Sequence, residues 1–145
     1  MAISNPSPTA TVVNIEMTRM DGTPIGVVQS VSVPAGGQIS KFINEIFPQL
    51  GASFQGIARL TSVSPIAVAA LRGRYNERRE FLITTTPPLD EAITQPSQLV
   101  FPHIVSGLGY STQIIVFGRA GSSRLYLFSQ DGTQRPGSAL APAQR

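Results

Sequence analysis

Histidine and cysteine, two residue types often used in catalysis and metal binding, are nearly absent from this chain. His103 is the only histidine among 145 residues, and there is no cysteine. A transition-metal site needs several such ligands, and a Ser-His-Asp triad on a Gly-x-Ser-x-Gly elbow needs a motif that the sequence lacks. We therefore expect His103 to form structural hydrogen bonds. We predict a protein that is not an enzyme and has no catalytic residue, metal or cofactor.

Two short polar motifs fit loops better than binding sites. Asp90 and Glu91 are adjacent, so on an extended segment their carboxylates point apart and do not form a Ca²⁺ site or an acid/base pair. Gly107-Leu108-Gly109 lacks the third glycine and the following helix of a phosphate-binding loop. We interpret the acidic pair as part of a solvated loop and the glycines as a turn before a strand.

Arginine supplies the densest polar signal in the sequence. One stretch combines four arginines with an aromatic residue: Arg72, Arg74, Tyr75, Arg78 and Arg79. Glu77 and Glu80 interrupt it, so four positive charges minus two negative charges leave +2, which is weak for a phosphate-backbone site. Because arginine pairs bidentately with carboxylates and is enriched at interfaces, we predict ion pairs within or between subunits and no nucleic-acid partner.

The composition is typical of one β-rich domain. Charged residues make up 13% of the chain and hydrophobic residues 41%, which is too apolar for disorder, while 13 glycines and 12 prolines punctuate it too often for a helical bundle. The net charge of +3 indicates a mildly basic surface. No run approaches the roughly 20 apolar residues of a membrane helix, so we predict no membrane insertion.

Alternating hydrophobicity predicts the strands that must position these residues. Apolar and polar residues alternate from Thr11 to Met20 and again up to Val33, which predicts a hairpin around Asp21-Gly22. Further strands are predicted over 55–63, 65–71, 81–83, 99–104, 112–117 and 124–128. A short helix is predicted at about 40–49, with Ser40 as its cap. Short strands without a βαβ rhythm predict an all-β fold, an antiparallel β-sandwich of Ig-like or jelly-roll-like type.

The tripeptide Asp-Gly-Thr occurs twice, at Asp21–Thr23 and at Asp131–Thr133, each time after an alternating strand. At equal distances before these turns, Ile15 and Met17 correspond to Leu125 and Leu127. Only the first turn is followed by the pattern of a return strand. The sequence therefore predicts a sheet edge that has no partner within its own chain.

The chain is predicted to have three segments. Residues 1–10 are small, polar and proline-rich, which indicates an extended N-terminal arm that nothing local orders. Residues 11–133 form a single β-sandwich domain, and residues 134–145 form a proline- and alanine-rich C-terminal tail.

Several strings of the sequence resemble an uncharacterised module found in large secreted bacterial multidomain proteins. They are RGRYNERREFLITTTPP from Arg72, FPHIVSGLGYSTQIIVF from Phe101, and LYLFSQDGT, together with the opening hairpin and PAGGQISKFINEIFP. The resemblance covers nearly the whole chain after about Ala10. It implies a β-sandwich in an extracellular or cell-surface setting and transfers no catalytic residues.

These patterns favour a structural protein that assembles with itself. We predict a subunit that joins copies of itself head-to-tail into an extracellular filament by strand exchange. The predicted subunit interface comprises Val12, Val13, Ile15, Met17, Arg72, Arg74, Arg78, Arg79, Leu125 and Leu127. The alternative is a cell-surface adhesion or carbohydrate-binding module, in which Tyr75, Tyr110 and Tyr126 stack on surface glycans.

Overall fold

A computed structural model describes residues 1–51, 54–93, 98–105, 107–110, 112, 114 and 124–135. The chain divides into two compact units, Met1–Leu89 and Asp90–Gln144. Each unit is described by itself. The boundaries predicted after residues 10 and 133 stay predictions, and residues 136–145 of the predicted tail lie outside the described residues.

The first unit contains a three-stranded antiparallel sheet built around the predicted hairpin. Strand β2 (Thr11–Arg19) lies between β3 (Pro24–Val33) and β5 (Gly56–Ser62). Side chains of β2 alternate between buried and exposed, because successive residues of a strand point to opposite faces. The apolar residues whose alternation predicted the hairpin therefore face the core, and the polar residues between them face the solvent.

A four-stranded antiparallel sheet completes the first unit, in the order β4-β1-β6-β7. Its strands are β1 (Ala2–Ser4), β4 (Gln38–Ser40), β6 (Ala67–Tyr75) and β7 (Phe81–Thr86). Strand β6 pairs with β1 through its first three residues and with β7 through its last six. The strand predicted over 65–71 therefore extends into the arginine-rich stretch, since β6 continues to Tyr75.

The N-terminal arm is ordered by distant parts of its own chain. Ile3 pairs with Ile39 on one side and with Val68 on the other, so β1 is an interior strand of its own sheet. The Nδ2 atom of buried Asn5 donates to the backbone oxygens of Val33 (3.3 Å) and Pro34 (3.2 Å). A polar, proline-rich composition does not reveal such distant partners, so the sequence suggested mobility.

The core of the first unit combines side chains from both sheets. Ile3 of the four-stranded sheet packs with Val13, Ile15 and Val33 of the three-stranded sheet, and with Phe47. Full burial of one such side chain stabilises the folded state by roughly 1.5–3 kcal/mol. The prediction of an all-β, antiparallel β-sandwich fold is confirmed.

The predicted helix is shorter in the structure. Helix α1 covers Ile43–Ile46, and Gln38–Ser40 is a strand, so Ser40 is not the cap. Phe42 occupies the cap position, and its N–H donates to the carboxylate of Glu45. The start of the predicted helix is a strand instead, because Gln38–Ser40 pairs with β1. At the other end, Pro48 is incompatible with continuation of the helix beyond Phe47.

The described part of the second unit has short strands. Strand β8 (Leu127–Phe128) pairs with β9 (Gln134–Arg135), so the second Asp-Gly-Thr turn does have a return strand, although one of only two residues. The segment predicted as a strand over 99–104 is not a strand. Most of the strand predicted over 112–117 lies outside the described residues. No helix in the described part of the chain is long and apolar enough to cross a membrane.

Candidate functional site

The two Asp-Gly-Thr turns have the same backbone conformation. In the first, the N–H of Arg19 donates to the oxygen of Thr23 over 2.8 Å, and Gly22 has a φ of 86°. In the second, Ser129 donates to Thr133 over 2.8 Å, and the equivalent glycine has a φ of 81°. A type I turn followed by a glycine in the left-handed region gives this hairpin geometry. The repeated tripeptide is thus a repeated structure.

The aspartate of each turn holds its strand ends together in the same way. Asp21 Oδ1 accepts the N–H of Thr23 over 2.9 Å, and Asp131 Oδ1 accepts that of Thr133 over 2.9 Å. These backbone hydrogen bonds, helped by the threonine hydroxyls, lower the pKa of both carboxyl groups below the ordinary value of 3.8. Both aspartates are therefore ionised turn residues at neutral pH.

The strands before the two turns differ in how well they are covered. In β2, Met17 is 5% exposed and has strands on both sides. In β8, the equivalent Leu127 is 36% exposed and Phe128 is 63% exposed. Among the described strands, β9 is the only partner of β8. The second hairpin therefore presents an apolar strand, β8, which has a described partner strand on one side only.

Three predicted interface residues are placed in the core, which corrects their assignment. Val13, Ile15 and Met17 belong to the buried cluster of the first unit, so their side chains have almost no surface to offer a second chain. The alternation of β2 placed these residues on one face correctly. It did not show that the chain's own β1 and helical segment cover that face.

The other predicted interface residues are distributed over several surfaces. Val12 lies on the exposed face of β2. Arg72 and Arg74 lie on β6, and Arg78 and Arg79 lie in the turn that follows it. Leu125 is half-buried and Leu127 exposed, both in the second unit. None of these residues belongs to the buried cluster that contains Val13, Ile15 and Met17.

The β6–β7 hairpin has two different exposed faces. One carries an apolar row in which Tyr75 opposes Phe81, with a ring-centroid distance of 5.2 Å, and Gly73 opposes Ile83. The Phe81 ring lies over Gly73, where it occupies the space of a Cβ. The opposite face carries Arg72 and Arg74 beside Leu82 and Thr84, around a cleft of about 330 Å³.

The hairpin turn explains part of the charged stretch without ion pairs. Asn76 Oδ1 accepts the N–H groups of Arg78 (3.0 Å) and Glu80 (2.9 Å), and its Nδ2 donates to the Glu80 carboxylate. Arg79 takes the left-handed position of this turn, with a φ of 61°. The glutamate that interrupts the arginine run thus pairs with an asparagine side chain, and the predicted ion pairs stay a prediction.

The polar residues singled out for chemistry are not assembled into a site. Asp90 Oδ1 accepts the N–H of Ala92 over 2.9 Å, as expected for a loop residue. Gly107 and Tyr110 exchange two backbone hydrogen bonds, which confirms a turn. Within the described ranges, no three His, Cys, Asp or Glu side chains are grouped to hold a metal ion.

Sequence reasoning missed the open edge of β7. The sequence predicted a strand over 81–83, and the structure continues it through the threonine run to Thr86, but a strand's place in the sheet order depends on which distant strands pair. The signal that was available is the lack of any charge within the run, since exposed edges are commonly protected by charged residues.

No known protein family, curated protein or solved structure matches this chain in comparisons of sequence and fold.

Proposed function

We propose that this chain is a non-enzymatic structural subunit that joins copies of itself head-to-tail, as an extracellular filament, by pairing strands between subunits. One observation carries the proposal. Leu127 of β8 lies four residues before the aspartate of its turn, as Met17 of β2 does before an identical turn, yet Leu127 is 36% exposed and Met17 is 5% exposed. The second hairpin has an apolar residue where the interior strand β2 has one, but this residue is exposed and its strand has one described partner.

A strand added to β8 would supply what β2 receives from β5 in the first unit. Main-chain hydrogen bonds would satisfy the unpaired edge, and the added side chains would cover Leu127 and Phe128. The incomplete edge belongs to the second unit, whereas β3 and β5 are the edges of the three-stranded sheet in the first unit. Pairing second unit to first unit uses two different surfaces, and such a contact repeats into an open chain of subunits.

The N-terminal arm is not the donor in this proposal. Strand β1 pairs on both sides within its own unit, and the terminal amine of Met1 donates to the backbone oxygen of Lys41 over 2.7 Å. Releasing residues 1–10 would break both pairings and expose Ile3. The donor is therefore an existing sheet edge, which needs no unfolding.

The extracellular or cell-surface setting rests on the resemblance to modules of secreted bacterial proteins. The alternative, a glycan-binding surface module, is supported by the high exposure of Tyr75 and Tyr110, since stacking on a sugar needs an open ring face.

Substitution of Leu127 tests the proposal. Leu127→Lys places a charge in the proposed contact without entering the core of the first unit. An unpaired charge at an interface costs at least about 2 kcal/mol, or roughly 30-fold in association. We expect electron microscopy and light scattering to show long linear particles for the original sequence and only small particles of one or two 15.4 kDa chains for the variant.

Val63→Lys is the matched control, because Val63 is 99% exposed in a loop of the first unit. This variant should assemble like the original sequence. A stable 15.4 kDa monomer formed by the original sequence would overturn the proposal.

A further inference from the structure

Strand β7 presents a long unprotected edge. It is the last strand in the order β4-β1-β6-β7, and β6 is its only partner among the described strands. Within the part of the chain that the structure describes, no strand pairs with the outer side of Phe81–Thr86. Such a row of unpaired N–H and C=O groups is a template for pairing between chains.

The usual devices that block edge pairing are missing from β7. Phe81–Thr86 contains no charged residue and no proline, and its register with β6 is continuous from Tyr75–Phe81 to Ala70–Thr86. The other edges are better protected. Strand β5 carries Arg59, and β3 begins at Pro24 and bends at Gly26, which has a φ of 78°. Among the long edges of the first unit, β7 is the most receptive.

We propose that β7 pairs antiparallel with β7 of a second copy of this chain, about a two-fold axis at Ile83. In this register Ile83 opposes Ile83 of the second copy, and Phe81 opposes Thr85 of the second copy. Directly opposed residues share a face of the sheet. The apolar rows of the two hairpins therefore continue into each other on one side.

The exposure of the strand supports a second copy as the occupant. Phe81 is 58% exposed and Ile83 is 62% exposed. Strand β7 pairs with β6 only beyond the three residues of β6 that pair with β1, so this end of the sheet is a two-stranded ribbon, and such a ribbon is marginally stable in water by itself. Two-fold pairing turns two such ribbons into one four-stranded sheet with Phe81 and Ile83 of both copies at its centre. The same six residues supply both sides of the contact, so the match in length is automatic.

Charge also favours this arrangement. The arginines of the hairpin lie on β6 and in the turn, so no charge faces β7 across the new pairing. In the order β6-β7-β7-β6, the two β6 strands are three strand spacings, or about 14 Å, apart. That distance exceeds the Debye length of about 8 Å at physiological ionic strength. Repulsion between Arg72 and Arg74 of the two copies is therefore weak.

This contact is separate from the head-to-tail contact and does not depend on it. The same surface of both copies forms the β7 contact, so it closes as a dimer. The contact at β8 joins two different surfaces and therefore adds subunits without limit. If both form, two linear assemblies are joined side by side.

Because the chain has no cysteine, a single introduced thiol tests the pairing directly. In Ile83→Cys the two thiols face each other across the two-fold axis, within reach of a disulfide. Under mild oxidation we expect a covalent dimer of twice 15.4 kDa. It should form at least about tenfold faster than for Val63→Cys, since pairing raises the effective thiol concentration. Both variants are made in the Leu127→Lys background, so that head-to-tail assembly does not contribute.

Thr85→Lys provides a second readout that needs no disulfide. Its side chain lies on an already exposed face, so the fold should be retained, which circular dichroism would verify. Sedimentation velocity should show a dimer for the Leu127→Lys chain and a monomer for the double variant. Equal cross-linking of Ile83→Cys and Val63→Cys would overturn the proposal, and so would faster cross-linking of Val28→Cys, which would place the interface on β3.

Discussion

Single residues in the turns decide how the hairpins of this protein close. Three hairpins use the same turn, and its left-handed position is occupied by Gly22, Gly132 and Arg79. Glycine takes this conformation without strain, whereas a side chain with a Cβ is penalised by roughly 1–2 kcal/mol. In the third turn, the hydrogen bonds of Asn76 hold the conformation in spite of this penalty.

Arg79→Gly should therefore stabilise the first unit. Relief of strain is partly offset by the greater freedom of glycine in the unfolded chain, which leaves a gain of about 0.5–1 kcal/mol. Urea denaturation measures this difference. The reverse change, Gly22→Arg, should destabilise the protein. Equal stability of Arg79→Gly and the original chain would show that the turn carries no strain.

The two aspartates of the repeated turns should titrate alike. Their pKa values are lowered in the folded state, mainly by the N–H groups of Thr23 and Thr133. A lowered folded-state pKa adds stability above the unfolded value, and this stability is lost as the pH falls from about 3.8 through the folded-state pKa. The contribution is small because both groups are exposed.

Thr23→Ala separates the two turns in a carboxyl NMR titration. It removes a hydroxyl that helps to lower the pKa of Asp21 but keeps the backbone hydrogen bond. The pKa of Asp21 should rise part of the way to its ordinary value, while that of Asp131 should not change. A shift at both aspartates, or at neither, would contradict the assignment.

Among the elements, β1 depends most on partners that are far away in the sequence. It lies between β4 and β6, and the loop after it is held by Asn5. The Asn5 Nδ2 atom also donates to the Thr9 oxygen over 2.8 Å, and its Oδ1 accepts the N–H of Ser7 over 3.0 Å. One buried amide thus connects the N-terminal loop to the end of β3.

Asn5→Ala should destabilise the first unit by about 2–3 kcal/mol, because buried backbone groups lose their partners. Asn14→Ala is the matched control. The Asn14 side chain accepts one exposed hydrogen bond from Ser30, so its loss should cost less than about 1 kcal/mol. Chemical denaturation of both variants gives the comparison. Similar costs for the two substitutions would contradict the central role of Asn5.

At the level of elements, the sequence predicted the first hairpin and misjudged the helix. The hairpin was predictable because residues 11–33 contain its alternation and its turn. The helix was too long because Ile39 follows the helical spacing by chance, while its backbone pairs with Ile3. That pairing joins segments 36 positions apart, which no local pattern reports.

Among the described residues, one well-covered core contrasts with two strands whose apolar side chains are uncovered. Apolar side chains of β2 and β1 are buried between two sheets, whereas β7 and β8 expose theirs. The proposed contact at β8 joins subunits into an open chain, whereas the proposed contact at β7 joins two copies into a closed dimer. The tests at Leu127 and Ile83 therefore have separate outcomes, because each contact can fail without the other.

The sequence by itself determined the local parts of this protein: the all-β class, the hairpin of β2 and β3, and two equal Asp-Gly-Thr turns. Each depends on side-chain alternation or on hydrogen bonds within about five residues. Only the tertiary structure decided that β1 is interior, that Val13, Ile15 and Met17 are core, and that β7 is an edge. Those properties depend on which strands pair across long stretches of chain, and many distant strands have compatible alternation.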